Sequence, residues 1–244
     1  MTRRLLILGG TGEAVLLARH LTRRPDLDVI SSLAGRVANP ALPVGAVRVG
    51  GFGGVDGLVA YLKQRIDAVI DTTHPFAARM SFNAAEACRH VQVPLLGFVR
   101  PAWQPVPGDR WLSVADMAGA AALCQGRVFL TVGRQELAPF AGCDAWFLIR
   151  SIDPPGGALP PRHALLLARG PFETTAEIEL LRANAIDLVV SKNSGGPATY
   201  AKIAAARALE LPVVMVERPA RPATDEARSL DEVDAWLDRP HHTP

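Results

Sequence analysis

The chain has 244 residues, 49% hydrophobic and 20% charged, which is enough apolar content to bury a core and excludes a disordered chain. Its 26 basic and 24 acidic residues give a formal net charge of +2, which leaves no chain-wide nucleic-acid footprint but allows a local basic cleft for an acidic small molecule. Cys88, Cys124 and Cys143 lack CxxC or metal-type spacing, so buried thiols in a reducing compartment and no metal site are expected, and no stretch approaches the ~20 apolar residues of a membrane span.

In chain order, residues 4–9 (RLLILG) read as a fully buried strand; the apolar run is too short for a signal peptide, and the expected location is the cytoplasm. A helix over 13–23 is followed by strands at 28–34 (DVISSLA) and 46–50 (AVRVG), a helix at 55–65 and a strand at 68–73 (AVIDTT). A helix near 77–91 and a strand at 94–99 (PLLGFV) close the first half. Residues 100–111 hold three prolines and a glycine and read as a linker.

The pattern then resumes with a helix over 113–125, strands at 128–132 and 146–150, a loop at 154–161 and a strand at 163–168. A helix at 173–185, a strand at 187–191, a helix at 197–209, a strand at 212–217 and a helix at 229–238 complete it, and the tail is expected to fray. Buried strands alternating with helices signal parallel sheets. The expected fold is α/β, with two Rossmann-like parallel-sheet domains and a cleft between them. The expected division is a cofactor-binding domain over 1–100, a linker over 101–111 and a substrate-binding α/β domain over 112–244.

Ligands of such sheets bind at strand C-termini. The first strand ends in Gly9, Gly10, Thr11, Gly12, Glu13 and Ala14, and a helix starts at once. Glycines let backbone approach a pyrophosphate, and a helix N-terminus attracts it. The fingerprint is imperfect, since Val15 occupies the third glycine position. The second strand ends in Ser31, Ser32, Leu33, Ala34, Gly35 and Arg36 without the carboxylate that selects NAD. Ser32 and Arg36 therefore favour NADPH, Arg offering a planar fork for a phosphate.

The fourth strand ends in Asp71, Thr72, Thr73, His74 and Pro75, where a nicotinamide would lie. His74 reads as a capping or core residue, a cofactor contact or a proton donor. In the second half, turns carrying Arg134 and Arg169 read as substrate-facing. The turn Ser191, Lys192, Asn193, Ser194, Gly195, Gly196 and Pro197 leads to a helix with Pro197 in its first turn and reads as an anion site, with Tyr200 and Lys202 following. Tyr200 and Lys202 do not have the Tyr-x-x-x-Lys spacing of short-chain dehydrogenases.

GGTGEA at 9–14, SLAGR at 32–36, DTTHPFA at 71–77, GRQ at 133–135, RGPF at 169–172, SKNSGG at 191–196 and YAKI at 200–203 together resemble the precorrin-6A reductase family of cobalamin biosynthesis. The resemblance implies NADPH-dependent reduction of one double bond of precorrin-6A to give precorrin-6B. It also implies an acidic tetrapyrrole as the partner, whose carboxylates would suit Arg134, Arg150, Arg169, Lys192 and Lys202. His74, Lys192 and Tyr200 are the catalytic candidates. The competing readings are an extended short-chain reductase or epimerase and a non-enzymatic NADPH-binding sensor.

Overall fold

The run Leu5–Leu8 is apolar at every position and buried at every position, as a strand covered by helices on both faces must be. A computed structural model describes residues 2–35 and 42–239. The first elements are β1 (Arg3–Leu8), α1 (Gly12–Leu21), β2 (Leu27–Leu33), β3 (Ala46–Val49), α2 (Val55–Leu62), β4 (Ala68–Asp71), α3 (Ala78–Val91) and β5 (Leu95–Phe98). There follow β6 (Trp111–Val114), α4 (Met117–Ala122), β7 (Arg127–Thr131), β8 (Trp146–Ser151), β9 (His163–Leu167) and α5 (Thr174–Ala183). The last are β10 (Leu188–Lys192), α6 (Ala201–Ala208), β11 (Val213–Val216), β12 (Asp225–Ala227) and α7 (Leu230–Leu237).

The strands form two six-stranded parallel sheets, ordered β12-β5-β4-β1-β2-β3 and β6-β11-β10-β7-β8-β9. The fold is the expected α/β arrangement of two Rossmann-like sheets. In the first sheet β1 pairs with both β2 and β4; in the second β7 pairs with both β8 and β10. Each is a point where the strand order reverses, and ligands of open α/β sheets bind outside the strand C-termini there. The turns after β1 and β4, and those after β7 and β10, are thereby selected.

The chain divides into two compact units, Met1–Arg100 with Pro219–Pro244, and Pro101–Arg218. This differs from the expected domains 1–100 and 112–244. The reason is packing: β12 pairs with β5, and Val233, Trp236 and Leu237 of α7 are buried with Leu5, Ile7, Leu17 and Leu21. Polar contacts fasten the same helix, a hydrogen bond joining His20 and Asp234 at 2.6 Å and an ion pair joining Arg24 and Asp238 at 2.7 Å. The other face of this sheet buries Leu6, Leu8, Leu58, Leu62, Val69 and Cys88, and burial pushes the Cys88 thiol up to about 12.

Residues 101–111 are not a free linker. Trp103 is buried in the second core with Phe129, Leu148, Val189, Ile203 and Met215, and Trp111 begins β6. The helix expected over 113–125 shrinks to α4 because β6 takes its first residues, and Asp116 caps it by accepting from Gly119 N at 2.8 Å. The helix expected from Pro197 starts only at Ala201. Cys124 and Cys143 are half-buried and Cys88 is buried; all three are free thiols.

Trp236→Ala should cost roughly 3–5 kcal/mol, as large core truncations do. Hydrogen exchange should then rise in β1 and α1 and leave β7 and β10 protected. Loss of protection in the second sheet instead would show that α7 supports the other unit.

Candidate functional site

The turn after β1 is built to leave backbone bare. Gly10 has φ +115°, a conformation that side chains rarely adopt, and a Cβ there would meet nothing within 4 Å. Gly12 has no positive φ and also faces open space, so the fold itself does not demand a glycine at that position. Thr11 caps α1: its Oγ1 accepts from Ala14 N at 3.2 Å and donates to Thr72 O at 3.0 Å, fastening the turn to the end of β4. The helix that follows is amphipathic, burying Ala14, Leu17, Ala18 and Leu21 at one-turn spacing.

Glu13 opens α1, and Arg100 Nη1 donates to both of its oxygens at 2.9 and 2.8 Å. Burial raises the Glu13 carboxyl, but the Arg100 hydrogen bond and charge outweigh it and hold the group below its usual range. Its charge is thus spent on the chain at residue 100.

At the end of β4 the buried Asp71 carboxylate accepts from Thr73 N (2.9 Å), Thr73 Oγ1 (2.6 Å), Ser81 Oγ (2.6 Å) and Arg221 Nη2 (2.9 Å). Thr72 Oγ1 donates to Leu8 O at 2.7 Å. His74 Nδ1 accepts from Phe76 N at 3.2 Å, so a neutral ring carries its proton on Nε2. A small pocket of about 10 Å³, lined by Thr11, Thr73, Pro75, Phe98, Arg100 and Arg221 among others, gathers the ends of β1, β4 and β5. Gly10, Thr11, Gly12, Glu13, Ala14, Thr73, His74 and Pro75 thus belong to the turns of one sheet edge. Ser32 ends β2 and is paired with Arg48, which sequence reasoning passed over; Arg36 lies outside the described residues.

In the second unit the turn after β10 is largely committed to its own chain. The Asn193 amide clamps Trp103, accepting from its N at 2.9 Å and donating to its O at 3.2 Å. Trp103 Nε1 donates to Gly196 O at 2.8 Å. Arg218 Nε donates to Asn193 O at 2.8 Å and its Nη2 to Ser194 O at 3.1 Å. At Gly195 (φ +69°) a Cβ would fall 2.1 Å from Pro101 O, so glycine is required by close approach. The points where the chain enters and leaves this unit are both stitched to this one loop.

Lys192 is ion-paired with Glu136 of the turn after β7. The Tyr200 ring packs at a tilt against Trp103, their centroids 5.6 Å apart, and its hydroxyl accepts from Arg207 at 2.6 Å. Lys202 is buried, donating to Thr199 O at 2.8 Å and lying 5.0 Å over the Trp103 ring. Arg150, expected at a cleft edge, is instead in the core: it is 7% exposed, pairs with Glu177 at 2.5 Å and stacks on Phe172 at 3.7 Å. Arg169 is exposed, and Arg134 is partly exposed, 3.9 Å from Asp153. Among the described residues no group of three or more His, Cys, Asp or Glu is arranged to hold a metal, and no helix is long and apolar enough to cross a membrane.

Asn193→Ala should leave two Trp103 backbone groups without partners, each costing about 1–3 kcal/mol. A chemical-denaturation midpoint equal to the parent's would show that Asn193 does not hold this segment. Because the Glu13 carboxyl is depressed, its contribution is complete above about pH 4.3 and is lost as pH falls through the lower folded value. The stability gap between parent and Glu13→Gln should therefore be constant at neutral pH and close in acid; a gap that persists in strong acid would contradict the clamp.

The family described as Precorrin-6x reductase CbiJ/CobK matches residues 4–238. Over 240 residues the chain is 51% identical to the precorrin-6A reductase of Rhodococcus erythropolis, covering 96% of this chain and 97% of that one. It is 47% identical to the precorrin-6A reductase of Rhodobacter capsulatus, covering 96% and 95%. The cobalt-precorrin-6A reductase of Methanothermobacter thermautotrophicus is 29% identical over 88% of this chain and 76% of its own. The solved structure of a CobK precorrin-6A reductase superposes with TM-score 0.91 at 46% identity, covering 97% of this chain and 96% of that one.

Proposed function

The chain belongs to the precorrin-6x reductase CbiJ/CobK family, and from that premise we propose that it reduces one double bond of the precorrin-6A macrocycle with NADPH, giving precorrin-6B in cobalamin biosynthesis. It is thus an enzyme of a reductase family; the sensor reading is set aside, and the cytoplasm is the proposed compartment.

One observation carries the cofactor assignment. Gly12 has neither a positive φ nor a neighbour within 4 Å, so no intramolecular contact explains a glycine there, whereas close approach of a pyrophosphate does. The bare amides at the start of α1 and the positive end of that helix would hold the phosphates, and Thr73, His74 and Pro75 would flank the nicotinamide. NADPH, when bound, supplies a hydride. Asp71 keeps the Thr73 turn in place, since a buried carboxylate with four donors resists displacement.

The macrocycle's carboxylates would be met by Arg134 and Arg169, the more exposed cations of the second-unit turns. Lys192 contributes through its pair with Glu136, not as a lone cation. Asn193, Ser194, Gly195, Gly196, Tyr200 and Lys202 act on substrate through the loop they shape. The Tyr200 hydroxyl is engaged by Arg207 and the Lys192 ammonium by Glu136, so we assign the proton to His74, whose ring belongs to the turn that would flank the nicotinamide.

The direct test adds pure protein to precorrin-6A and NADPH and follows absorbance: both the macrocycle spectrum and the NADPH band should change together. No change in either would reject the assignment. Gly12→Val should fold like the parent and fail to bind NADPH, because the branched side chain occupies the phosphate's place. Normal NADPH affinity in a folded Gly12→Val protein would put the cofactor elsewhere.

A further inference from the structure

A second glycine turn follows β3, two strands along the sheet from β1. After β3 the chain reads Gly50, Gly51, Phe52, Gly53 and Gly54 before α2 begins. Gly50, Gly53 and Gly54 have φ of +123°, +84° and +94°, and a Cβ on any of them would meet nothing within 4 Å. The loop is folded back on its helix: a Cβ on Gly57 would fall 1.7 Å from Phe52 O. Arg48 organises it. Its Nη1 donates to Gly50 O at 2.5 Å and to Ser32 Oγ at 3.2 Å, and its Nη2 to Gly51 O at 2.8 Å. The guanidinium lies 3.9 Å over the Phe52 ring and 5.3 Å from the Tyr61 ring, which meets Phe52 edge-on at 5.2 Å.

We infer that Arg48 is the residue that selects NADPH over NADH, its immobilised guanidinium meeting the 2′-phosphate of the adenosine ribose. This rests on the proposal that the first unit binds a nicotinamide dinucleotide. Arg48 is paired in register with Ser32 at the C-terminal end of β2. In a dinucleotide-binding sheet that end receives the adenosine ribose, where a carboxylate selects the free hydroxyl and an arginine accommodates the phosphate. The acidic residue of β2, Asp28, lies near its opposite end, bonded to Arg4 at 2.8 Å.

Two features make Arg48 more than a loop brace. A guanidinium carries five N–H donors, and the bonds above engage both hydrogens of Nη1 and one of Nη2, leaving Nε–H and the second Nη2–H for an anion. The aromatic stack and the two carbonyls also fix the fork before any ligand arrives, so little side-chain freedom is lost on binding. A brace alone would have no preference between the two cofactors.

The experiment titrates NADPH and NADH calorimetrically into the parent, Arg48→Ala, Arg48→Met and Arg36→Ala. The parent should prefer NADPH. Arg48→Ala should lose roughly ten- to a hundred-fold in NADPH affinity, the worth of a charge-assisted contact, with NADH nearly unchanged. Arg48→Met keeps an apolar stem against Phe52 and should show the same selective loss. Equal losses for both cofactors in Arg48→Met would reduce Arg48 to a structural brace and overturn the inference. So would an unchanged preference in both Arg48 variants together with a selective loss in Arg36→Ala. A parent that binds neither cofactor would overturn the proposed function, and the inference with it.

Discussion

A carboxylate buried at the end of a central strand must be satisfied from several directions, and Asp71 is satisfied from three parts of the first unit. Its own turn supplies Thr73, α3 supplies Ser81, and the returning C-terminal segment supplies Arg221. Removing any one donor would leave a buried charge under-compensated, which costs several kcal/mol where the pairing is lost outright. One side chain therefore fixes the turn that would flank the nicotinamide, anchors the helix below it and holds the segment that leads to β12. Arg100 does the corresponding work on the other chain passage, closing on Glu13 at the start of α1.

The two units treat their strand-end turns differently. The turn after β1 keeps Gly10 and Gly12 facing open space, while Thr11 ties it down through its cap and Thr72. The turn after β10 closes its glycines against Pro101, Arg218 and Trp103. Both are glycine-rich turns at strand ends, yet one presents backbone outward and the other uses the same freedom to pack chain against chain. The contrast explains why a pyrophosphate is proposed for the first turn and a positioning role for the second.

Much of this was legible in the sequence. Short runs of Leu, Ile and Val separated by amphipathic segments specify buried parallel strands, because burial on both faces removes the alternation an exposed sheet would show. The GGTGEA and DTTHP turns were legible for the same reason: they interrupt that pattern at strand ends. The strand β12 was not, since Asp225–Ala227 is three residues long with two exposed acids, and only its pairing with β5 makes it a strand. Nor was the return of residues past 218 to the first sheet, which is decided by long-range packing of Trp236 and Leu237. The composition of the SKNSGG turn suggests an anion site, but Asn193 spends its amide on the backbone of the buried Trp103 segment and Lys202 donates to Thr199 O. Arg48 is hard to single out because the glycine turn after it lacks a familiar spacing, although an Arg one residue before the end of a strand that leads into GGFGG is a signal available in the chain.

The most direct measurement of the central claim follows the hydride. Precorrin-6A is incubated with the protein and NADPH deuterated at C4 of the nicotinamide on the transferred face, and the product is analysed by mass spectrometry. One deuterium carried into the macrocycle, with oxidised cofactor formed in equal amount, is the predicted result. A reduced macrocycle free of deuterium would contradict the account, because the reducing electrons would then have come from a source other than the cofactor assigned to the first sheet.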